Sequence, residues 1–435
     1  MSHPRTLNSV GIIGLGYVGL PLALHFARAG LAVTGLDTDA AKVARLNAGH
    51  SYIGHLPAAE IAREVVAGRL RATTDFAALA GMDAVLICVP TPLGPHREPD
   101  LSHVLETGRR LGGVLRRGQL VVLESTTYPG TTDTELRGVL EAASGLRAGT
   151  DFHLAYSPER EDPGNPASRL AEIPKVVGGL TPACRDRAVA LYARIVKQVV
   201  PVSSCRVAEA AKLLENIFRA VNIALVNELK VVYAALGVDI WEVIAAARTK
   251  PFGFMPFTPG PGLGGHCIPI DPFYLTWKAR EAGVETRFIE LAGEVNTAMP
   301  RYVVGRVAEA LNAAGRPVRG SRVLVLGVAY KADVDDDRES PSYELMDRLA
   351  EQGAEVAYHD PHVPVIRTGR RSGRWAGQPS RPWSHETVAA ADVVLIATAH
   401  RVVNYAELAG WARCIVDTRN VMAAHATRPG QVWKA

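Results

Sequence analysis

Short apolar segments alternate with helical patterns over about the first 200 residues. Six of these segments are rich in valine, isoleucine and leucine and lack polar alternation, which is typical of strands buried on both faces of a sheet. The pattern therefore predicts a parallel sheet with helices on both sides. The predicted strands are residues 10–14, 32–37, 83–90, 119–126, 152–158 and 174–179.

A different pattern covers residues 206–236, where nothing interrupts a helix until Gly237 follows. About 31 residues at 1.5 Å each predict a rod of about 45 Å. The segment is apolar around most of its circumference, and such helices are usually buried between domains or subunits. We therefore predict that this helix joins two halves of the chain and contributes to a homodimer.

The strand pattern resumes in the last third of the chain and predicts a second, smaller α/β domain. Residues 361–384 lie between two of its strands and have the composition of an irregular insertion. The predicted fold is thus α/β, with two Rossmann-like, doubly wound domains joined by a long central helix. The predicted domains are 1–200, 201–312 and 313–435, and the predicted strands of the last one are residues 322–330, 354–361, 391–400 and 414–420.

Composition narrows the class of protein. With 435 residues, 48% hydrophobic and 21% charged, the chain is long enough for two or three globular domains. The net charge is +4 and the basic residues are dispersed apart from a loop-like cluster at 367–374, so a nucleic-acid partner is not predicted. Five scattered cysteines without CxxC or Cys/His ligand spacing predict neither disulfides nor a metal site. We find no secretion signal and no apolar segment of roughly 18 residues, which favours the cytosol and no membrane partner.

Three glycines near the start of the sequence predict a dinucleotide-binding turn. Gly14, Gly16 and Gly19 form GxGxxG directly after the first strand and at the start of a helix. In this context Gly14 permits a tight turn, Gly16 lets a pyrophosphate approach the backbone, and Gly19 allows close helix–strand packing. Asp37 ends the second strand, where a carboxylate accepts ribose hydroxyls and repels a 2′-phosphate, so NAD is favoured over NADP. The alternative is a glycine turn with an incidental surface aspartate.

Further cofactor contacts are predicted at strand ends. Thr91 and Thr126 follow predicted parallel strands at the carboxyl edge, where ligands bind in such sheets. Each threonine could equally be a helix cap or a turn residue. We also assign Tyr17 and Val18 of the glycine turn, and Lys42, to the cofactor site.

One cysteine has an unusual setting. Glycines and prolines flank Cys267 in PGLGGHCIPIDP, residues 261–272, so it lies on a shaped loop. A thiolate can add to an aldehyde, and the thiohemiacetal then loses a hydride to leave a thioester that water cleaves to an acid. Backbone N–H groups of a glycine-rich loop favour the thiolate. The alternative is that Cys267 is a small buried filler, the commoner role of cysteine.

Several motifs together resemble one family. They are GLGYVGLP, VPTP, ESTTYPGTT, YSPER, AAKLLENIFRAVNIALVNE, PGPGLGGHCIPIDP, GVAYKADVDDDRESP and DTRN, in order over nearly the full length. The chain therefore resembles the UDP-glucose/GDP-mannose dehydrogenase family. The resemblance implies a four-electron oxidation of the C6 alcohol of a nucleotide sugar to a carboxylate, with two NAD and with Cys267 as the nucleophile.

The resemblance implies further catalytic residues. Lys212 and Asn216 would hold the reacting oxygen and the water, and with Arg219 they share one helix face at i, i+4 and i+7. Asp271 would assist proton transfer or orient the water, and Glu159 would act in the same way during thioester hydrolysis. Without the resemblance, an amphipathic helix face that happens to carry Lys212 and Asn216 is the simpler interpretation.

The substrate contacts rest on the same resemblance. The second α/β domain lacks GxGxxG, and the resemblance implies that it holds UDP while Arg338 reaches the cofactor. For Lys331 and Arg338 the competing interpretation is ion pairing with Asp333 and with the acids at 335–337. The residues implied near the substrate are Arg160, Glu161, Lys212, Asn216, Arg219, Lys250, Gly264, Tyr330, Lys331 and Arg419.

Two residues bear on the identity of the sugar. His266 and Ile270 stand where the UDP-glucose branch of the family tends to carry serine and lysine, so the chain resembles the UDP-N-acetylhexosamine branch. UDP-N-acetylglucosamine is the predicted substrate, with its galacto and manno isomers and UDP-glucose as alternatives, because epimer choice depends on a few hydrogen bonds. Two other classes stay open: a two-electron hydroxyacid or 6-phosphogluconate-type dehydrogenase, and a non-enzymatic nucleotide-binding or redox-sensing protein.

Overall fold

The computed structural model describes residues 7–54, 56–94, 98–161, 170–265, 268–369 and 371–435. The chain divides into two compact units. The first unit comprises Met1–Glu215 and Phe273–Glu285, and the second comprises Asn216–Pro272 and Thr286–Ala435.

An eight-stranded sheet forms the centre of the first unit. Its strands are β1 (Ser9–Ile13), β2 (Ala32–Leu36), β3 (Leu70–Thr73), β4 (Ala84–Ile87), β5 (Leu120–Leu123), β6 (His153–Tyr156), β7 (Lys175–Gly179) and β8 (Val199–Pro201). Their order in the sheet is β3-β2-β1-β4-β5-β6-β7-β8, and all neighbours are parallel except β6 and β7. The order of the first six strands is that of a doubly wound dinucleotide-binding fold, as predicted.

The sheet of the first unit is buried on both faces. In β4, Ala84 and Leu86 belong to one apolar core, whereas Val85 and Ile87 belong to the core on the opposite face. Because both faces are covered, the strand is a continuous apolar run. The helices of this unit are α1 (Gly19–Arg28), α2 (Ala40–Asn47), α3 (Ala58–Val66), α4 (Ser102–Gly112), α5 (Arg137–Ser144) and α6 (Pro182–Tyr192).

The observed sheet corrects the sequence prediction in two respects. Strands β3 and β8 were not predicted, because LRAT is half polar and VVP is only three residues long. The predicted parallel pairing is wrong for β6 and β7, which are antiparallel. A parallel pair needs a crossover connection, usually a helix, whereas the described residues between these strands form only the short 3₁₀ turn Leu170–Glu172.

The long helix α7 (Cys205–Ala235) contains 31 residues. Its bounds differ by one residue at each end from the predicted 206–236. Gly237 has a φ of +71° just after the helix, a left-handed conformation that glycine adopts without strain and that ends many helices. The boundary between the two units falls within this helix, at Glu215 and Asn216.

The second unit contains a five-stranded parallel sheet. Its strands are β9 (Arg322–Leu326), β10 (Glu355–His359), β11 (Val393–Ile396), β12 (Ile415–Asp417) and β13 (Val432–Lys434), in the order β10-β9-β11-β12-β13. Alternate residues of β9 again enter two different cores, so this sheet too is covered on both faces. Strand β13 was not predicted.

In the described residues, six further helices belong to the second unit or connect the two parts of its chain. They are α8 (Ile240–Ala247), α9 (Asp271–Glu281), α10 (Arg287–Ala313), α11 (Pro341–Glu351), α12 (His385–Ala390) and α13 (Tyr405–Trp411), and α9 continues into the first unit. The predicted irregular insertion at 361–384 is confirmed for its described residues, which form one 3₁₀ turn and one isolated bridge. Among the described helices, none combines the length and the apolar composition that a membrane crossing requires.

Candidate functional site

The glycine turn between β1 and α1 has the shape that a dinucleotide pyrophosphate requires. Gly14 has a φ of +91°, and a Cβ there would lie 2.5 Å from the carbonyl oxygen of Cys88. A Cβ on Gly19 would lie 1.8 Å from the carbonyl oxygen of Gly14. At Gly16, no atom of the described residues lies within 4 Å of the Cβ position, which leaves the turn open on that side. Two of the glycines thus permit close packing, and the third leaves space for a ligand.

Asp37 is held next to this turn. One carboxylate oxygen accepts the N–H of Leu15 at 3.0 Å, and the other accepts the N–H of Asp39 at 3.0 Å. The Tyr52 hydroxyl donates to the carbonyl of Leu15 at 2.5 Å, and Lys42 lies 5.8 Å from the centre of the Tyr52 ring. The structure therefore brings the glycine turn, with its half-buried Tyr17 and Val18, together with two other predicted cofactor residues, Asp37 and Lys42.

The two threonines predicted at strand ends are in contact. Thr91 follows β4 and Thr126 follows the neighbouring β5, and the Thr91 hydroxyl donates to the carbonyl of Thr126 at 2.8 Å. The Tyr274 hydroxyl donates to the carbonyl of Thr91. Both threonines lie at the carboxyl edge of the parallel sheet, where β1 also ends.

Glu159 belongs to a buried ionic cluster in the first unit. One of its carboxylate oxygens accepts the N–H groups of Arg160 and Glu161 at 2.7 and 2.6 Å, and the other lies 3.5 Å from the ammonium of Lys175. Lys175 is 2% exposed and also pairs with Glu124 at 2.7 Å. The Tyr192 hydroxyl donates to the other oxygen of Glu124. Lys175, Glu124 and Tyr192 were not among the predicted site residues.

The cluster gives its carboxyl groups different proton affinities. Burial alone would raise the pKa of Glu159, but the charges of Lys175 and Lys212 and the two N–H donors lower it below its usual value. Burial and the neighbouring Glu159 charge raise the pKa of Glu161 to about 7. Burial likewise raises the pKa of Glu124 to about 7, although Lys175 opposes the shift. Carboxyl groups whose pKa values are pushed apart are typical of acid–base sites.

Arg160 and Lys212 lie beside this cluster. The guanidinium of Arg160 pairs with the carboxylate of Glu215 at 2.6 Å and donates to the carbonyl of Pro174 at 2.5 Å. Lys212 is buried on α7. Arg160 therefore forms an ion pair with Glu215, which lies about one helical turn after Lys212 on α7.

In the second unit, the structure pairs two of the predicted catalytic residues. The side-chain amide of Asn216 donates to the carboxylate of Asp271 at 2.5 Å, and both side chains are buried. Asp271 is the first residue of α9 and follows Cys267 by four positions in the sequence. Cys267 and His266 themselves lie outside the described residues.

The glycines before Cys267 pack against Tyr330, which follows β9, and against Pro341, the first residue of α11. A Cβ on Gly264 would lie 2.7 Å from Pro341 and 3.0 Å from the Cβ of Tyr330, and one on Gly265 would lie 2.9 Å from the ring of Tyr330. Tyr330 follows β9, and its N–H donates to the carbonyl of Asp336 at 3.0 Å. The structure thus brings together two predicted substrate residues, Gly264 and Tyr330, and explains why bulkier residues do not fit in the loop.

A buried polar network fixes the start of the same loop. The side chain of Asn227 accepts the N–H of Gly260 at 2.9 Å and donates to Asn296 at 2.9 Å, and Asn296 donates to the carbonyl of Ala220 at 3.1 Å. Arg419 packs directly on Gly260, since a Cβ there would lie 2.7 Å from its guanidinium. Asn227 and Asn296 were not among the predicted site residues, although a polar amide at a buried helix position was a usable signal.

The remaining predicted ligand residues are more exposed. Arg219 and Lys250 are exposed, and the ammonium of Lys250 lies 4.9 Å from the ring centre of Phe252. Lys331 is half-buried. Arg338 is exposed and pairs with Asp336 at 2.7 Å. In this structure it therefore forms the local ion pair that the sequence offered as the alternative to a cofactor contact. Its predicted contact with the cofactor stays a prediction.

The four other cysteines have the character of packing residues. Cys184, Cys205 and Cys414 are buried and Cys88 is half-buried. Burial raises the pKa of the thiols of Cys88, Cys205 and Cys414. A raised pKa suppresses the reactive thiolate, so none of these three thiols is poised as a nucleophile.

One group of side chains in the described part of the chain has metal-like spacing. Ligand atoms of Asp333, His362 and His400 lie within 4.8 Å of one another. Both ring nitrogens of His400 are already engaged, by the N–H of Asp333 and by Asp360, and Arg401 binds the Asp333 carboxylate. We therefore assign no metal to this group.

Comparison with known proteins identifies the class to which this fold and site belong. The three domain models of the UDP-glucose/GDP-mannose dehydrogenase family match the chain: the NAD binding domain at 8–196, the central domain at 206–298 and the UDP binding domain at 324–424. The chain belongs to the UDP-glucose/GDP-mannose dehydrogenase family. It is an NAD-dependent oxidoreductase of nucleotide sugars, and its cofactor is NAD.

Individual relatives differ in substrate. The UDP-N-acetyl-D-glucosamine 6-dehydrogenase of Pseudomonas aeruginosa is 39% identical over 81% of this chain and 83% of its own length. The solved UDP-D-ManNAc dehydrogenase of Pyrococcus horikoshii is 33% identical over 95% of each chain, with a TM-score of 0.85. A solved UDP-glucose dehydrogenase of Pyrobaculum islandicum is 30% identical over 98% of each chain, with a TM-score of 0.84. Similar identities accompany three different sugars.

Proposed function

We propose that the protein oxidises the C6 alcohol of a UDP-N-acetylhexosamine, with UDP-N-acetylglucosamine as the preferred substrate, to the carboxylate. The observation that carries this proposal is the hydrogen bond between the buried Asn216 and Asp271, because Asp271 lies only four positions after Cys267 in the sequence. An amide and a carboxylate at 2.5 Å offer a donor and an acceptor for a reacting oxygen. The half-buried side chain of Tyr330 packs against Gly264 and Gly265 of the same loop.

The proposed reaction assigns one role to each side chain. Bound NAD would accept one hydride in each of two oxidation steps. Lys212 stabilises the oxyanion that forms on the C6 oxygen, and Asp271 takes up the proton that the alcohol loses. The Cys267 thiolate adds to the aldehyde carbon, and loss of the second hydride leaves a thioester.

Hydrolysis completes the proposed reaction. Water cleaves the thioester, supplies the second carboxylate oxygen and restores the thiol. Glu159 is suited to accept a proton from this water, because Lys175 and Lys212 hold it in its ionised form. The sugar loses four electrons in all, which distinguishes this route from a two-electron dehydrogenase.

The stoichiometry of the reaction tests the proposal. With UDP-N-acetylglucosamine, we expect two NADH for each sugar consumed, and slower turnover of the galacto and manno isomers and of UDP-glucose. A panel of these four sugars, followed by NADH absorbance and by product mass, makes the measurement. One NADH per sugar would favour the two-electron class, and no NADH with any sugar would favour the non-enzymatic class.

Asp37 provides a test of the proposed cofactor contacts. Replacing Asp37 with asparagine should weaken NAD binding about tenfold or more, because a hydrogen bond to a charged group contributes about 1.5–3 kcal/mol. The variant should also discriminate less against NADP, since the acid no longer repels a 2′-phosphate. Calorimetric titration of both cofactors checks this, with Asp186→Asn as a control at an exposed aspartate. Unchanged affinity for NAD in Asp37→Asn would mean that the fingerprint is misassigned.

The predicted homodimer is also part of the proposal. Apolar side chains of α7 are exposed at Leu214, Phe218, Leu225 and Val232, a spacing of seven and four residues that places them on one stripe. A second copy of the chain with the same stripe can cover it by two-fold symmetry. The cytosolic location predicted from the sequence stays a prediction.

Sedimentation tests this interface. We expect the wild type to sediment as a dimer and Leu225→Glu, at a side chain that is 53% exposed, to shift it to a monomer. Val66→Glu introduces the same charge at an exposed position of α3 and should remain a dimer. A monomeric wild type, or a dimeric Leu225→Glu, would contradict the interface.

A further inference from the structure

The reaction proposed above has no role for Lys230, an unusual lysine of α7. Its side chain is only 5% exposed. The ammonium donates to the carbonyl of Gly260 at 3.2 Å and lies 5.2 Å from the centre of the Tyr302 ring. No carboxylate of the described residues pairs with it. Lysine is seldom buried without a partner charge, because removing an ammonium from water is costly.

Lys230 forms part of the wall of a cavity of about 360 Å³ in the second unit. The same cavity is lined by Trp241, Tyr302, Arg306 and Lys434. The volume exceeds the roughly 30 Å³ that a water molecule occupies by about tenfold, so a polyatomic ion fits. The cavity is therefore large enough for a ligand and has several cationic side chains in its wall.

The other cations of the cavity are neutralised within the protein. Lys434 pairs with Asp239, which also lines the cavity, and Arg306 pairs with Glu309 and donates to the carbonyl of Lys434 at 3.2 Å. No acid in the described ranges pairs with Lys230, and the charge that shifts its pKa is that of another cation, Arg419. Among the cations of the wall, Lys230 is thus the one for which the described residues provide no paired carboxylate.

The geometry leaves donor capacity at Lys230. An ammonium has three N–H groups, and the hydrogen bond to Gly260 uses one of them. The Tyr302 ring offers a weak acceptor through its π face for a second. At least one N–H is therefore free to bind an oxygen of a ligand in the cavity.

From these observations we propose that this cavity binds a small tetrahedral oxyanion, a phosphate or sulfate group, through Lys230. Such an anion would neutralise the charge of Lys230 and screen the repulsion between Lys230 and Arg419. The cavity adjoins Gly260 at the start of the cysteine loop, but Lys230 has no role in the proposed oxidation, and the proposal does not depend on that reaction. A free phosphate ion and a phosphate ester present the same oxygens, and the titrations described below distinguish the two sources.

The proposed site has a defined dependence on pH. Burial, reinforced by the charge of Arg419, lowers the pKa of Lys230 to about 7. The other titratable or charged groups around the cavity are Tyr302, Arg306, Lys434, Asp239 and the carboxylate of Ala435, while Arg419 and Glu309 act on Lys230 and Arg306. Because an anion favours the charged amine, binding should raise the pKa of Lys230, and affinity should fall as pH rises above about 7.

Sulfate is the appropriate probe, because its charge does not change between about pH 6 and pH 9. The full-length protein is labelled with ¹³C at the ε carbon of lysine, and the Lys230 resonance is assigned with Lys230→Arg. We expect a saturable change of this resonance with sulfate, at constant ionic strength in chloride, and a rise of its pKa by one unit or more. A rise of one unit corresponds to tenfold weaker binding of sulfate at pH 9 than at pH 6.

Variants separate this site from general sulfate binding. Lys230→Met should abolish the saturable sulfate-dependent rise of the melting temperature, and Lys230→Arg should restore it. Lys197→Met, at an exposed lysine paired with Glu172, should behave as the wild type. The proposal would be overturned if sulfate raised the melting temperatures of Lys230→Met and wild type equally. It would also be overturned if sulfate did not change the Lys230 resonance.

Two further titrations identify the form of phosphate. Tighter binding of inorganic phosphate than of glycerol phosphate, followed on the Lys230 resonance at a fixed pH, would support a free ion as the ligand. The reverse order would support a phosphate ester. If neither compound changes the resonance, the proposed ligand class is wrong.

Discussion

Replacing Cys267 with serine should reduce uronate formation by about 10⁴-fold or more, while NAD still binds with the affinity of the wild type. A serine hydroxyl is a far weaker nucleophile than a thiolate near neutral pH, so the aldehyde is not captured and no ester is formed for water to cleave. The glycine turn and Asp37, the proposed cofactor contacts, are not altered by the substitution, so NAD affinity should not change.

The measurement is product mass together with a calorimetric NAD titration. Cys414→Ser makes the same chemical change at a buried thiol just before β12 and should keep uronate production. Uronate production by Cys267→Ser at a rate near that of wild type would exclude the thioester route.

Replacing Lys175 with methionine should slow hydrolysis of the thioester by about 10²-fold at neutral pH, the lower end of what a general base contributes. Lys175 lowers the pKa of Glu159, so its loss raises that pKa. Glu159 acts as a base only when ionised, so activity falls as pH falls through its pKa. The acid limb of the pH–rate profile should therefore move to higher pH in Lys175→Met.

A second effect of this change is on stability. Removing one partner of a buried ion pair costs about 3–5 kcal/mol, because Glu124 would then be buried without its cation. Lys175→Arg keeps the charge and should restore the acid limb, which separates the electrostatic role from a simple loss of folding. Lys197→Met removes an exposed lysine of the same unit as a control. An acid limb that does not move in folded Lys175→Met would show that Lys175 does not control Glu159.

Much of the fold could be predicted because local signals were strong. Helix α7 was predicted within one residue at each end, since a long run of helix formers ends at Gly237. The first strands were predicted because apolar runs covered on both faces are distinctive. Predicted strands 83–90 and 119–126 were too long at their carboxyl ends, where residues 88–90 and 124–126 leave the sheet and form loops at the ligand edge.

The direction of β7 and the buried ionic cluster could not be predicted in the same way. Pairing direction depends on how the chain between β6 and β7 returns to the sheet, which apolar periodicity does not encode. Lys175 begins an apolar strand, and its burial is explained only by Glu124, 51 residues away, and by Glu159. The contacts of Asn227 with Asn296 and Gly260 likewise join segments that are distant in sequence.

The predicted site residues fall into two groups. Gly14, Asp37 and Lys42 lie around one turn, and Asn216 lies against Asp271, as expected if each set has one function. Long charged side chains at the surface were harder to place, because Arg338 has a local acid as an alternative partner. The spacing of a motif specifies where the backbone turns. A long, flexible arginine side chain can pair with any of several nearby acids, so its partner cannot be predicted from the sequence.

The central claim is a covalent bond between the Cys267 sulfur and C6 of the sugar, and trapping it is the most direct test. Wild type and Glu159→Gln are mixed with UDP-N-acetylglucosamine and excess NAD, quenched in acid within one turnover, and digested for mass spectrometry. We predict a sugar adduct on the peptide that contains residues 261–272, more abundant in Glu159→Gln because hydrolysis is slower. An enzyme that forms uronate without this adduct at any quench time in either protein would contradict the account.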